Sequence, residues 1–126
     1  MEIKNVVNFI FELGQLKRLK HSGWKLAGVD NPHSIAEHAL RSAQIGYILA
    51  VMENNSNPEK VATMLIFHDN GETRIGDQNK IAARYVDKKE PEARAFYEQL
   101  IGLGEVIEQK WKNYFAEFEN RSTKEG

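Results

Sequence analysis

"LIFHDNGETRIGD", residues 65 to 77, sets a histidine beside an aspartate directly after a strongly apolar run. Just upstream, Asn57 is a good helix cap and Pro58 suits the first helical position, so a helix is predicted to start there. Val61, Leu65 and the run Met64 to Phe67 are apolar most of the way round it, which predicts a central helix. Gly71 is read as its stop. With Gly76, it leaves residues 69 to 80 as loop or a short helical turn. The question is whether His68, Asp69, Glu72 and Asp77 are solvated turn residues or groups that face one point.

The rest of the chain is also helical in its spacing. Val6, Ile10, Leu13 and Leu16 line one face near the start, with Val7 and Phe9 widening the stripe. "HSGWKLAGVDNPH", residues 21 to 33, breaks the pattern with Gly23, Gly28 and Pro32 and reads as loop. Ser34 then offers an N-cap, and Glu37 completes a capping box. Leu40, Ala43, Tyr47 and Val51 are the apolar face expected of the helix that follows. Pro91 opens a further helix with Phe96, Leu100 and Ile101 inward, "GLG" at 102 to 104 ends it, and Val106 to Phe118 forms a last amphipathic piece. No β-alternation, internal repeat or linker interrupts this reading. The prediction is an all-α, compact bundle of about five helices, folded as a single domain over residues 1–126.

Composition removes several classes of function. The net charge of −1, with acids and bases mixed along the chain, gives no basic patch for long nucleic acid. Cysteine is absent, so a tight metal site has only His, Asp and Glu to draw on. The first residues carry mixed charge and no long apolar core, unlike a signal peptide, and no stretch reaches the apolar length of a membrane span. A cytoplasmic protein is the expectation.

The histidines are His21, His33, His38 and His68. Adjacent residues on a regular helix point about 100° apart, so His68 and Asp69 converge only if the backbone turns at the helix end. If the His38 helix packs beside the His68 helix, two imidazoles and a carboxylate meet, a donor set that suits a divalent first-row cation. Glu72, one turn past His68, then lies where a base for an activated water is needed. An HD dipeptide alone is usually an ordinary surface feature, and on spacing alone both readings stay open.

"SIAEHALRSA" followed by "LIFHDNGETRIGD" resembles the HD-domain metal-dependent phosphohydrolases, in their 5′-deoxynucleotidase-like branch. "LKRLKHSGWKLAGV" and "KWKNYFAEFENRSTKEG" fit the same branch, so the resemblance runs along nearly the whole chain. It implies that His38, His68 and Asp69 bind a divalent metal ion (Mn, Co, Mg or another transition metal) and that Glu72 orients or deprotonates the attacking water. It further implies Asp77 at the nucleotide sugar and Trp24 at the pocket wall. The family's phosphate-gripping arginine falls at His21, with Arg18 and Lys20 nearby. His33 stands where the family often has glutamate. The implied substrate is a nucleoside 5′-monophosphate, in deoxy form, and the implied assembly is a homodimer. Other implied outcomes are hydrolysis of a triphosphate, a cyclic nucleotide or an alarmone, or a module whose chemistry has lapsed. The family's last metal ligand is an aspartate on a later helix, beyond Gly126; Glu117, Glu119 and Glu125 come too early for it. The expectation is therefore of a fragment truncated at its C-terminus.

Overall fold

A computed structural model describes residues 1–54 and 56–126. The helices are α1 (Ile3–Leu13), α2 (Ser22–Leu26), α3 (Ile35–Glu53), α4 (Pro58–Phe67), α5 (Glu72–Ile75), α6 (Lys89–Gln99) and α7 (Glu105–Asn120), with short 3-10 turns at Gly14–Lys17 and Ala82–Arg84. Five of these helices (α1, α3, α4, α6 and α7) have ten or more residues, as the spacing predicts. Among the described residues there is no strand, only an isolated antiparallel bridge between Lys20 and Ser34. No described helix is long and apolar enough to cross a membrane.

The local start signals behave as chemistry dictates. The Ser34 hydroxyl accepts from the Glu37 N–H, and the Glu37 carboxylate accepts from the Ser34 N–H and hydroxyl, a complete capping box. Asn57 Oδ1 accepts from the Lys60 N–H, with Pro58 at the first helical position. Ser34 is buried, so its hydroxyl has no water to fall back on. Ser34→Ala is expected to cost about 1–2 kcal/mol, seen as a lower denaturation midpoint with an unchanged denaturant slope.

The core gathers Phe9 of α1, Phe67 of α4, Phe96 of α6, Leu100 at the end of that helix, Leu103, and Phe115 of α7. Its centre is aromatic. Phe67 stacks on Trp111 with ring centroids 4.4 Å apart, and Phe96 stacks on Phe115 at 4.4 Å. This packing clamps the C-terminal end of α4, where the HD pair begins.

Several sequence expectations about helix faces and ends are corrected. On α1 it is Phe9 that is buried, while Ile10 is exposed. On α3, Leu40, Tyr47 and Val51 are exposed, and the buried line is Ile35, Ala39, Ala43, Gly46 and Ala50. The physical reason is the close approach of α4: a Cβ on Gly46 would lie 2.3 Å from the Leu65 side chain. A seam of small residues lets the backbones meet, and the larger apolar side chains turn outward. Ile101 is likewise exposed rather than inward. The loop expected over residues 21 to 33 contains the one-turn helix α2, and α6 begins at Lys89, before Pro91. Gly71 does not end α4 in a left-handed turn, since its φ is −60°. Its hydrogen side chain answers crowding instead, because a Cβ there would sit 3.0 Å from the Glu92 carbonyl oxygen.

Candidate metal centre

Two local devices bring the histidines together. The Ile35 N–H donates to the Leu19 carbonyl at 2.8 Å and the His21 N–H to the His33 carbonyl at 3.3 Å, pinning the α2 region to the start of α3. His38, on the first turn of α3, thereby faces His21 and His33. At the end of α4 the chain turns tightly: the Asn70 N–H bonds the Phe67 carbonyl and the Glu72 N–H bonds the Asp69 carbonyl. That turn brings His68 and Asp69 to His38 of α3, as the convergence of an HD pair requires, and leaves Glu72 beside Asp69.

His38, His68 and Asp69 offer ligand atoms within 4.8 Å of one another. His68 Nε2 lies 3.0 Å and His38 Nε2 3.6 Å from Asp69 Oδ2. Such separations match the edges of a coordination polyhedron with bonds of about 2.1 Å. His68 Nδ1 lies 2.7 Å from the Leu65 carbonyl oxygen. A carbonyl can only accept, so Nδ1 carries the proton there and neutral His68 presents its Nε2 lone pair to the cluster. Ser42 Oγ sits 3.4 Å from His38 Nδ1 on the far side of that ring. Burial, followed by the neighbouring imidazoles, outweighs the pull of Asp69 and holds His38 below the ordinary histidine range. A neutral imidazole is the ligating form. His68 is drawn down by burial, but its contact with Asp69 more than compensates and leaves it raised.

A second group of donors overlaps the first. Asp69, Glu72 and Glu92 also bring ligand atoms within 4.8 Å of one another. Glu72 is only 8% exposed, and its Oε2 is enclosed without a hydrogen-bond partner. Burial first, then the charges of Asp69, Asp77 and Glu92, push Glu72 up to about 9. Burial and Asp69 likewise push Glu92 up to about 7. Acids crowded and buried in this way repel one another, and a divalent cation is the partner that relieves both costs. The residues present therefore fit a divalent metal ion, with His38, His68 and Asp69 as the mixed nitrogen and oxygen donors.

Of the remaining residues singled out in the sequence, His21 and Asp77 lie beside the cluster, while Trp24 and Arg18 lie further out. Asp77 Oδ2 accepts from the Ser22 N–H at 2.7 Å and the Ser22 hydroxyl at 3.1 Å, and His21 Nδ1 lies 3.5 Å away. Burial raises the Asp77 carboxyl, but these donors win and hold it below the ordinary aspartate range. Trp24 is half exposed, with its ring 6.3 Å from that of His33. Arg18 is exposed at the end of the first 3-10 turn and makes no ion pair or side-chain hydrogen bond to the cluster among the described residues. Glu117 pairs with Lys60 at 2.8 Å and Glu125 accepts from the Asn57 N–H, so both are engaged elsewhere.

Sequence reasoning missed two residues. Glu92 stands in the first turn of α6, where an acid is unremarkable, and only the fit of α6 against Gly71 brings it to Asp69. Arg41 could have been found, because it lies one turn past His38 on α3. It lines, with His33, Glu37, His38, Ser42 and Ile45, a cavity of about 280 Å³ at the His38 side of the candidate metal centre.

A family model described as "HD domain" matches residues 13–126. The Bos taurus protein named 5'-deoxynucleotidase HDDC2 is 26% identical over 97% of this chain and 59% of its own length. The Schizosaccharomyces pombe protein named 5'-deoxynucleotidase hdd1 is 30% identical over 96% of this chain and 63% of its own length. Among solved structures, a conserved hypothetical protein from Pyrococcus furiosus superposes with a TM-score of 0.80 at 32% identity, over 95% of this chain and 67% of that one. The chain thus spans about three-fifths of the length of these curated relatives. The family model's span, the helical architecture and the paired His-Asp turn agree, and the chain belongs to the HD-domain family.

Proposed function

We propose that this protein is a metal-dependent phosphohydrolase that removes phosphate from nucleoside 5′-monophosphates, the deoxy forms in particular. The observation that carries the reading is the convergence of His38, His68 and Asp69 on one point, with the enclosed, unpartnered carboxylate oxygen of Glu72 next to it. The names of the curated relatives support the nucleotide as substrate.

In this reading His38, His68 and Asp69 hold the cation. A bound divalent cation makes water more acidic and offsets the charge of the phosphate. Glu72 Oε2 takes the proton of the attacking water as its oxygen bonds to phosphorus. The bond from phosphorus to the 5′-oxygen breaks in line on the opposite face, the departing 5′-oxygen takes a proton from solvent water, and Glu72 returns its own proton to solvent. In the metal-free chain burial and the neighbouring carboxylates push Glu72 up to about 9; with those charges offset by a bound cation, Glu72 is left ionised to accept the proton. Arg41, lining the cavity beside His38, supplies a guanidinium for the phosphate oxygens, the task that His21 cannot perform in bidentate fashion. Asp77 and Trp24 bound the sugar end, and Arg18 is left as a more distant cation. The homodimer implied by the resemblance would cover the outward apolar face of α3, including Leu40, Tyr47 and Val51.

The test is inorganic phosphate release, with Mn²⁺, Co²⁺ or Mg²⁺ added, from dAMP, dTMP, AMP, a nucleoside triphosphate and a cyclic nucleotide. Monophosphates are expected to turn over, deoxy forms fastest, and Arg41→Ala is expected to raise KM about ten-fold or more, as loss of a charge-assisted bond worth about 1.5–3 kcal/mol implies. Turnover confined to the triphosphate or cyclic substrate would assign a different HD reaction. The second reading, a lapsed module, draws on the imidazole of His21 where a guanidinium is expected. No release from any substrate by metal-loaded protein would favour it.

A further inference from the structure

Three imidazoles crowd together on the α2 side of the candidate metal centre. The ring of His21 lies 4.6 Å from that of His33 and 4.4 Å from that of His38, and the rings of His33 and His38 are 6.0 Å apart. Their ring nitrogens include a set within 4.8 Å of one another, a grouping with no carboxylate in it. Crowded neutral imidazoles are often only packed aromatics. Two further observations point to a ligand. His21 Nε2 is enclosed and has no hydrogen-bond partner. On the other side of the same ring, Nδ1 faces the Asp77 carboxylate at 3.5 Å, and the Ser22 N–H and hydroxyl hold that carboxylate in place. A carboxylate beside Nδ1 favours the tautomer with the proton on that nitrogen, which leaves the enclosed Nε2 as an unpartnered lone pair. Carboxylate, imidazole and cation in that order is how metal-binding histidines are commonly oriented.

We infer that His21, His33 and His38 form a second, imidazole-only site for a late first-row divalent cation such as Zn²⁺, Co²⁺ or Ni²⁺, with Asp77 as the residue that positions His21. All-nitrogen donors favour these ions over Mg²⁺ or Mn²⁺, which prefer the oxygen-rich side formed by Asp69, Glu72 and Glu92. The three histidines are partly exposed, so an ion can enter without unfolding the bundle. His38 belongs to both groups, and this distinguishes the site from an independent surface patch: an ion on the triad competes for a ligand of the proposed hydrolytic centre. The inference goes beyond the proposed function, and its test uses no substrate.

The experiment is titration of chelator-stripped protein with Co²⁺ alone, followed by visible absorption and by ion stoichiometry. Asp69→Ala disables the mixed site while leaving the triad, and this variant is expected to bind one equivalent of Co²⁺. Adding His21→Ala and His33→Ala is expected to abolish that binding, and adding Asp77→Asn to weaken it roughly ten- to a hundred-fold. The inference is overturned if folded Asp69→Ala binds no Co²⁺, or if the variant that also lacks His21 and His33 binds as tightly. Should Asp69→Ala fail to fold, the wild type is compared with His21→Ala/His33→Ala. A weaker or missing class of Co²⁺ in the double variant supports the triad, and superimposable isotherms overturn it. Phosphate release by the wild type is measured separately, so loss of the hydrolase reading leaves this result standing.

Discussion

Glu72→Gln is expected to lower phosphate release by about 10²–10⁴-fold, the usual contribution of a positioned general base. The same substitution is expected to stabilise the protein when metal has been removed by chelation. Glu72 is buried against Asp69 and Glu92, and its Oε2 has no hydrogen-bond partner, so ionisation there is costly. Its proton affinity in the fold, raised to about 9, exceeds that of an exposed glutamate. Between those limits the folded chain holds a proton that the unfolded chain has released. Stability is then expected to fall as pH rises from about 4.5 toward about 9. Glu92, raised to about 7, adds to the lower part of that window. Glu72→Gln removes its share of the slope. Denaturation midpoints of chelated wild type and variant at pH 5, 7 and 9 check the sign: the gap is expected to widen with pH. Equal midpoints throughout would mean that Glu72 is solvated and carries no such load.

Phe67→Ala is expected to cost about 3–5 kcal/mol, the range for removing a large aromatic from a core. Phe67 is almost fully buried, stacks on Trp111 at 4.4 Å and lies 5.8 Å from Phe96, so it ties α4 to α6 and α7 at once. Against the roughly 5–15 kcal/mol typical of a whole domain, that loss is severe. The loss also reaches the chemistry, because His68 is the next residue and the turn that aims it starts at the Phe67 carbonyl. Phe67→Leu keeps most of the apolar volume and is expected to cost less than half as much. Chemical denaturation ranks the two variants, and the metal affinity of the folded fraction shows how far the turn has loosened. A Phe67→Ala protein with wild-type stability would show that the aromatic stack is not what holds α4 in place.

The sequence disclosed most where a feature is complete within a few residues. The Ser34 and Glu37 capping box, the Asn57 cap and the His68-Asp69 pair are local, and each is found where the spacing predicts. Helix faces were less legible, because the partner chooses them. Leu40, Tyr47 and Val51 look like an apolar face in isolation, yet α4 packs against Ala39, Ala43 and Gly46, where the backbones can approach closely. The site divides in the same way. For His38, His68, Asp69 and Glu72, capping and turn chemistry leave both readings open and the family resemblance supplies the roles, whereas Glu92 reaches Asp69 only through tertiary packing. His21 and His33 flank a segment read as loop. Their meeting with His38 depends on two backbone hydrogen bonds that no side-chain pattern announces.

The most direct test of the central claim is metal add-back. Chelated wild type and Asp69→Asn would each be titrated with Mn²⁺ or Co²⁺ while phosphate release from dAMP is followed. The expected result is that chelated wild type is inactive, recovers with one or two equivalents of cation, and that folded Asp69→Asn does not recover at matched cation concentration. Release that persists after chelation, or that Asp69→Asn restores as fully as the wild type, would contradict a metal centre built on His38, His68 and Asp69.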